Sequence, residues 1–248
     1  NDLPVNQSYI DALNNLGIEA IHRSKWFNGV LVEMQPASIN LVQALTFVER
    51  VEYVAPGQIP AGNAGGSENN SKLSNGGATD FQNSMLGIDQ MHNEGFEGQG
   101  MLIGVFDGGF QNMSQIGALQ PLITSNRILA QKNYVTNGTN IENTESHGTR
   151  VLSILAADQP NVYVGAAPAA SYIATMSYTY SDMDGQTAVI TKASNIAATK
   201  GIALINSAGN EGSKVWRFIT APSDSENVLS VGAVDASGFR ADFSSFGP

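Results

Sequence analysis

Through the first 55 residues the apolar positions switch between helical and alternating spacing. Residues 4–16 carry Tyr9, Leu13 and Leu16 on one helical face, and Gly17 stands where a helix is capped. Residues 18–22 form a short apolar segment. Residues 27–34 set Phe27, Val30, Val32 and Met34 against Asn28, Leu31 and Glu33, which predicts a strand whose start can bend or bulge at Asn28-Gly29. Ser38 is placed to cap a helix carrying Leu41, Val42, Leu45 and Val48, and residues 51–54 predict a last strand. The order α-β-β-α-β is a small α+β, ferredoxin-like arrangement without its first strand.

From residue 57 to 79 the composition turns to Gly, Asn, Ser and Ala, with Ile59 and Leu73 the large apolar residues, which predicts an exposed linker open to proteolysis. Residues 81–96, with Met85, Leu86, Ile88 and Met91, predict a helix that leads into a second domain over 80–248. Residues 101–106 are an unbroken apolar run ending at Asp107, the pattern of a strand buried on both faces of a parallel sheet. Short strands are expected at 128–130, 134–135, 162–164 and 172–174, and a helix over 147–157. Apolar residues at 189, 190, 193, 196 and 197 predict a helix over 186–199, followed by buried strands at 202–206 and 228–234. Strand-helix-strand units with glycine joints make the fold class α/β, a doubly wound parallel sheet.

Composition narrows the function. The 248 residues hold 22 acidic against 12 basic side chains, for a formal charge of −10, and no basic cluster, so nucleic acid is not an expected partner. With no cysteine, thiol nucleophiles, disulfides and thiolate metal sites are excluded. No apolar run approaches the roughly 20 residues of a membrane helix, so no membrane partner is expected. The chain starts at Asn1 and not at methionine, which points to a trimmed leader.

Three motifs then stand out, each at a predicted strand end or helix start, where open α/β sheets place working groups. Asp107, in Val-Phe-Asp-Gly-Gly, follows a buried strand, a place where a carboxylate that orients an imidazole is held rigidly. His147, in Ser-His-Gly-Thr, opens a helix that Ser146 can cap. A general base near neutral pH needs such access and a partner that fixes its tautomer, and the positive end of the helix is expected to disfavour protonation. Gly148 would let substrate backbone pass close to the ring, and Thr149 can hydrogen-bond locally. Asn210, in Asn-Ser-Ala-Gly-Asn-Glu-Gly, offers a side-chain amide to an oxyanion. Taken singly, Asp107 reads equally as a turn former, His147 as a helix cap and Asn210 as a left-handed turn residue. His22 and His92 have no motif and read as surface or packing residues.

Together, and in this order, the motifs resemble the subtilisin-like serine peptidases, the subtilase family. The likeness extends over residues 100–107, His147-Gly-Thr-Arg-Val, Val164-Gly-Ala-Ala-Pro-Ala-Ala, 202–212, and 228–234 with Phe243-Ser-Ser-Phe-Gly-Pro. It implies that Asp107 orients, His147 is the base and Asn210 stabilises the oxyanion. Ser207, Ala208 and Gly209 would wall the substrate pocket, and the substrate would be a protein or peptide. Residues 1–56 would be the propeptide, docked on the catalytic domain with its end near 53–58, and 57–79 the maturation linker. A secreted or cell-envelope setting and calcium are implied by the same likeness, although no loop has a recognisable calcium spacing.

Three departures qualify it. Gly108 stands where the family has Ser or Thr. Tyr172-Ile-Ala-Thr runs directly into Met176-Ser-Tyr-Thr-Tyr, without the helix and Ser-Leu-Gly strand the family places there, which points to a seam near Thr175/Met176. The nucleophile would lie beyond Pro248, since Ser244 and Ser245 belong to the upstream loop. The alternatives are a catalytically inactive relative that binds peptides or partners, and a nucleotide-dependent enzyme suggested by Gly98-Gln-Gly100, whose glycines precede the strand where a dinucleotide fingerprint follows one.

Overall fold

The computed structural model describes residues 3–54, 77, 79–142, 145–176 and 185–247. They fall into two compact units, one made of Asn1–Gly57 with Thr179–Pro248, the other of Gln58–Tyr178. All but Gly77 and Thr79 of the expected linker over 57–79 lies outside the described residues.

In the first unit α1 is Gln7–Asn15. The side chain of Asn6 starts it by accepting the N–H of Ser8 at 3.0 Å. Gly17, at φ 75°, ends it: its N–H reaches Asn14 O, and Ile18 N–H reaches Leu13 O. That pairing is a Schellman cap, and its two hydrophobic ends, Leu13 and Ile18, are both buried beside Val42. Strands β1 (Ala20–Ser24) and β2 (Gly29–Val32) form an antiparallel hairpin with Ser24 opposite Gly29; the chain bends into β2 at Asn28, φ 46°, as expected, while the register irregularity falls in β1, between Ala20 and His22.

Two expectations for this segment fail. The helix expected through Val48 is the short α2, Ile39–Gln43, behind a 3₁₀ turn at Pro36–Ser38, and Ser38 makes no capping bond with its side chain. After Ala44 the bonds shorten to three-residue steps, Leu45 N–H to Val42 O and Val48 N–H to Leu45 O, so the chain tightens into turns. Residues 51–54 form no strand; Val51 packs on the Leu13, Ile18 and Val42 core without pairing to the hairpin.

In the second unit Gly87, at φ 71°, divides the expected helix over 81–96 into α3 (Asp80–Met85) and α4 (Ile88–Asn93). There follow β3 (Leu102–Asp107), α5 (Gln120–Thr124), β4 (Ile128–Asn133), α6 (His147–Ala156), the antiparallel pair β5 (Asp158–Gln159) and β6 (Tyr163–Val164), and β7 (Ser171–Met176). The sheet is parallel in the order β3-β7-β4, with Asp107 level with Met176 at its end. Strand β4 stops where Asn133 Oδ1 accepts the N–H groups of Val135 and Thr136, so the second short strand expected at 134–135 is a turn. Strand β7 runs continuously through Thr175 and Met176, and residues 177–184, on the far side of the expected seam, lie outside the described residues.

The core of this unit gathers Val105, Phe110, Met113, Leu119, Leu122, Ile141, Leu152, Tyr172 and Ala174. It covers one face of β3. On the other, Leu102 is 56% and Phe106 69% exposed, so the strand is not buried on both faces as its unbroken apolar run predicts. The run records side-chain chemistry on both faces, whereas the packed layer of α6 and the 113–122 turns meets only one.

The first unit closes with α7 (Val189–Thr199), β8 (Ile205–Ser207) and β9 (Leu229–Val231). β8 and β9 pair in parallel, with Ser207 level with Val231, but both are shorter than expected and are not buried strands, since Ile205 and Leu229 are exposed. Asp224 ties the entry to α7, accepting Gly185 N–H and the Thr191 hydroxyl at 2.9 Å each. Parallel strands alternating with helices make the fold α/β, as expected.

Candidate active site

Strand β3 delivers Asp107 at its C-terminal end, and α6 delivers His147 as its first residue. The two meet: His147 Nδ1 lies 2.8 Å from Asp107 Oδ1 and 2.9 Å from Oδ2. The carboxylate side chain is only 10% exposed and the imidazole 49%. A dry acid holding one nitrogen of a half-open ring fixes the tautomer with its proton on Nδ1, which leaves Nε2 as the nitrogen able to accept a proton. Gly108, in place of a hydroxyl residue, still serves the carboxylate, its N–H donating to Asp107 Oδ1 at 2.7 Å.

Close packing of α6 on the loop after β3 sets this distance. Gly148 N–H donates to Gly109 O at 2.9 Å, the Thr149 hydroxyl to Gln111 O at 2.8 Å, and Gln111 N–H to Glu145 O at 2.9 Å. A side chain at Gly148 would put its Cβ 2.5 Å from Gly109 O and 2.9 Å from the Asp107 Cβ. The role expected for Gly148, admitting substrate backbone, is therefore corrected: the missing side chain lets the histidine helix reach the aspartate strand. Thr149 likewise bonds across 38 residues and not locally.

Glu145 was not singled out by sequence reasoning. Its Oε1 accepts the N–H groups of Ser146 at 2.9 Å and His147 at 3.2 Å, while the Ser146 side chain makes no capping bond. The acid two residues before the helix takes the role expected of the serine, and a carboxylate beside exposed N–H groups at a helix start is the signal that could have found it.

The expectation that the helix start disfavours protonation of His147 is also corrected. Its pKa is raised above the ordinary 6.5, first by the hydrogen bond to Asp107 and further by the charges of Asp107 and Glu145, against burial of the ring and the charge of Arg150. Carboxylates in contact outweigh a helix end whose field is spread over several peptides. Because the folded value is raised, the protonated pair contributes stability that is complete below the unfolded imidazole pKa and is lost as pH rises through the folded one. Glu145→Gln keeps the accepting oxygen and removes the charge, so the His147 midpoint should fall toward 6.5 with the helix intact, as read by NMR titration of the ring.

Asn210 and residues 207–209 belong to the other unit, at the end of β8. Ser207 and Asn210 are exposed, Ala208 is buried, and Ala208 N–H and O are held by Val231 O and Thr220 N–H. The left-handed conformation in this turn is taken by Gly209, φ 108°, and not by Asn210, which frees the asparagine from the turn-former role. At Gly209 a Cβ would lie 2.8 Å from Thr220 Oγ1.

Elsewhere, His92 Nε2 is hydrogen-bonded to Ala166 O at 3.0 Å, and Gly98 packs on Ala167 and Ala170. Among the described residues, no group of three or more His, Asp or Glu is placed to hold a metal, and no helix is long and apolar enough to cross a membrane.

Residues 1–72 match the family model described as the Peptidase S8 propeptide domain of Bacteroidota, and residues 161–248 that of the Subtilase family. A thermostable alkaline protease of Halalkalibacterium halodurans is 25% identical over 196 residues, 66% of this chain and 50% of that protein. The chain thus spans about half the length of that relative. The subtilase match takes in residues 207–210 and stops short of Asp107 and His147, whose pairing rests on the geometry alone.

Proposed function

We propose, from the match of residues 161–248 to the Subtilase family model and of residues 1–72 to the propeptide model, that this chain is the propeptide and the N-terminal part of the catalytic domain of a serine endopeptidase. The observation that carries the reading is the clasp of His147 Nδ1 by both oxygens of Asp107.

In the proposed reaction a serine outside residues 1–248 is the nucleophile. His147 Nε2 takes its hydroxyl proton as the oxygen attacks the scissile carbonyl, and Asp107 steadies the imidazolium that forms. Asn210 donates its side-chain N–H to the oxyanion, and 207–209 border the substrate side chain. When the tetrahedral intermediate collapses, the proton on Nε2 passes to the departing amine. Water then enters and gives a proton to the same nitrogen as its oxygen attacks the acyl carbonyl; on collapse the bond to the serine oxygen breaks, and Nε2 returns the proton to that oxygen, which releases the acid and restores the serine. Ser244 and Ser245 are not the nucleophile: both are buried, and each hydroxyl oxygen accepts a backbone N–H, from Ala233 and Glu211 respectively.

On the same reading 1–56 is the propeptide, 57–79 the linker cut on maturation and 80–248 catalytic. The propeptide would remain docked as an inhibitor until removed, and the enzyme would work in a secreted or cell-envelope setting. Grouping of Asn1–Gly57 with Thr179–Pro248 in one unit, with Lys200 5.7 Å over the Trp26 ring, supports the docking.

Purified full-length protein, freed of residues 1–79 by its own processing, is expected to cut an unfolded protein at internal peptide bonds and to give new termini by mass spectrometry. Binding of peptides with no new termini would instead establish the inactive relative.

A further inference from the structure

The loop Phe243-Ser-Ser-Phe is spoken for neither by the triad nor by the pocket wall, yet two of its residues are among the most buried polar groups in the protein. Ser245 is 3% exposed and makes two bonds to one short stretch: its N–H donates to Gly209 O at 2.9 Å, and its Oγ accepts Glu211 N–H at 3.0 Å. Gly209 O belongs to the peptide that precedes Asn210, and Glu211 N–H to the peptide that follows it. Both planes adjoining the Asn210 Cα are thus fastened by a single residue. Because a peptide is planar, fixing both planes fixes φ and ψ of the residue between them, and with those angles the direction of its Cα–Cβ bond.

Resting on the peptidase reading above, we propose that Ser245 is a positioning residue that aims the side-chain amide of Asn210 at the oxyanion. Asn210 itself is exposed, so packing does not hold its backbone, and the clamp from below supplies what packing does not. The surroundings fit a rigid seat. Gly209, whose absent side chain would fall 3.0 Å from Ser245 Oγ, lets the loop close on the turn. Gly212 N–H donates to Phe243 O at 2.9 Å, and a Cβ at Gly212 would collide with Ser244 O. Arg240 donates to Ser244 O at 2.8 Å and stacks over the Phe246 ring, which anchors the loop from its other side.

The two serines divide the work. Ser244 turns its hydroxyl oxygen to Ala233 N–H at 3.0 Å, just after β9, so it ties the loop to the sheet. Ser245 turns to the asparagine turn. Catalysis by preorganised dipoles depends on donors that need not reorient as charge develops, and an amide on an exposed turn meets that condition only if its backbone is held.

The test is Ser245→Ala in the full-length protein, which leaves Glu211 N–H without its acceptor. Amide exchange at Glu211 should quicken by about tenfold or more, while the amides shared by β3 and β7 stay protected and so report an intact fold. kcat should fall about ten- to a hundredfold with KM unchanged, the loss that goes with a working group displaced by about 1 Å. Added to Asn210→Ala, the same substitution should cost less than about twofold more, because a residue that acts through another has nothing left to act on. Unchanged exchange at Glu211, or a full and additive loss in the Asn210→Ala background, would overturn the proposal. If the unsubstituted full-length protein cuts no peptide, the peptidase reading itself fails, and exchange at Glu211 still decides whether Ser245 holds the turn.

Discussion

His147→Ala in the full-length protein is expected, on the proposed function, to lower kcat by about 10⁴- to 10⁶-fold, a magnitude carried over from subtilisin. The ring is the proposed base toward the serine and the acid toward the leaving amine, so both half-reactions lose their proton carrier. Asp107→Asn should cost about 10⁴-fold while the fold stands, because an amide in place of the carboxylate would present an N–H to Nδ1 and favour the wrong tautomer. The informative variant is the double replacement of Asp107 and His147 by alanine. With both Asp107 oxygens within 2.9 Å of the same nitrogen, the pair acts as one unit, and the double variant should be no slower than His147→Ala alone. Losses that multiply would mean that the two side chains work separately, against the geometry. KM, set by the pocket, should change little in the series.

Asn210→Ala is expected to lower kcat by about 10²- to 10³-fold, or about 2.7–4 kcal/mol of transition-state stabilisation, again a magnitude measured on the oxyanion asparagine of subtilisin. The loss should fall on kcat and spare KM. An N–H that meets negative charge only in the tetrahedral intermediate contributes nothing to ground-state binding, so KM should stay within about twofold. Asn210→Asp should be at least as slow as Asn210→Ala, because a carboxylate places negative charge against negative charge. A rise in KM with kcat preserved would assign Asn210 to substrate binding and remove it from the oxyanion.

What could be read from the sequence was the part encoded in local chemistry. The Gly17 cap, strand β3 with Asp107 at its end, the start of α6 at His147 and the helix before β8 all have short signals, and each formed close to its expected place. Misses came from tertiary choices. Residues 51–54 have the composition of a strand, yet Val51 entered the core by side chain alone, without a pairing partner. The apolar run of β3 predicted cover on two faces, but Leu102 and Phe106 lie on the face that the packed helices leave open.

At the site, the residue types were legible and the network that holds them was not. Gly148 looked like a gap for substrate and is a contact for Gly109; Ser146 looked like the cap, and Glu145 does the capping. Both errors have one cause: local patterns name which groups can bond and cannot name the partner 38 residues away that makes a position tight. The raised pKa of His147 follows the same logic, since the carboxylate that dominates it arrives from another element.

The most direct measurement is labelling of the full-length protein with a fluorophosphonate, which phosphonylates a serine only when a neighbouring base has taken its proton. The proposed mechanism predicts one labelled serine, in peptides outside residues 1–248, with labelling abolished in His147→Ala and slowed in Asp107→Asn. No labelling of folded, propeptide-free enzyme, or equal labelling after His147→Ala, would contradict it.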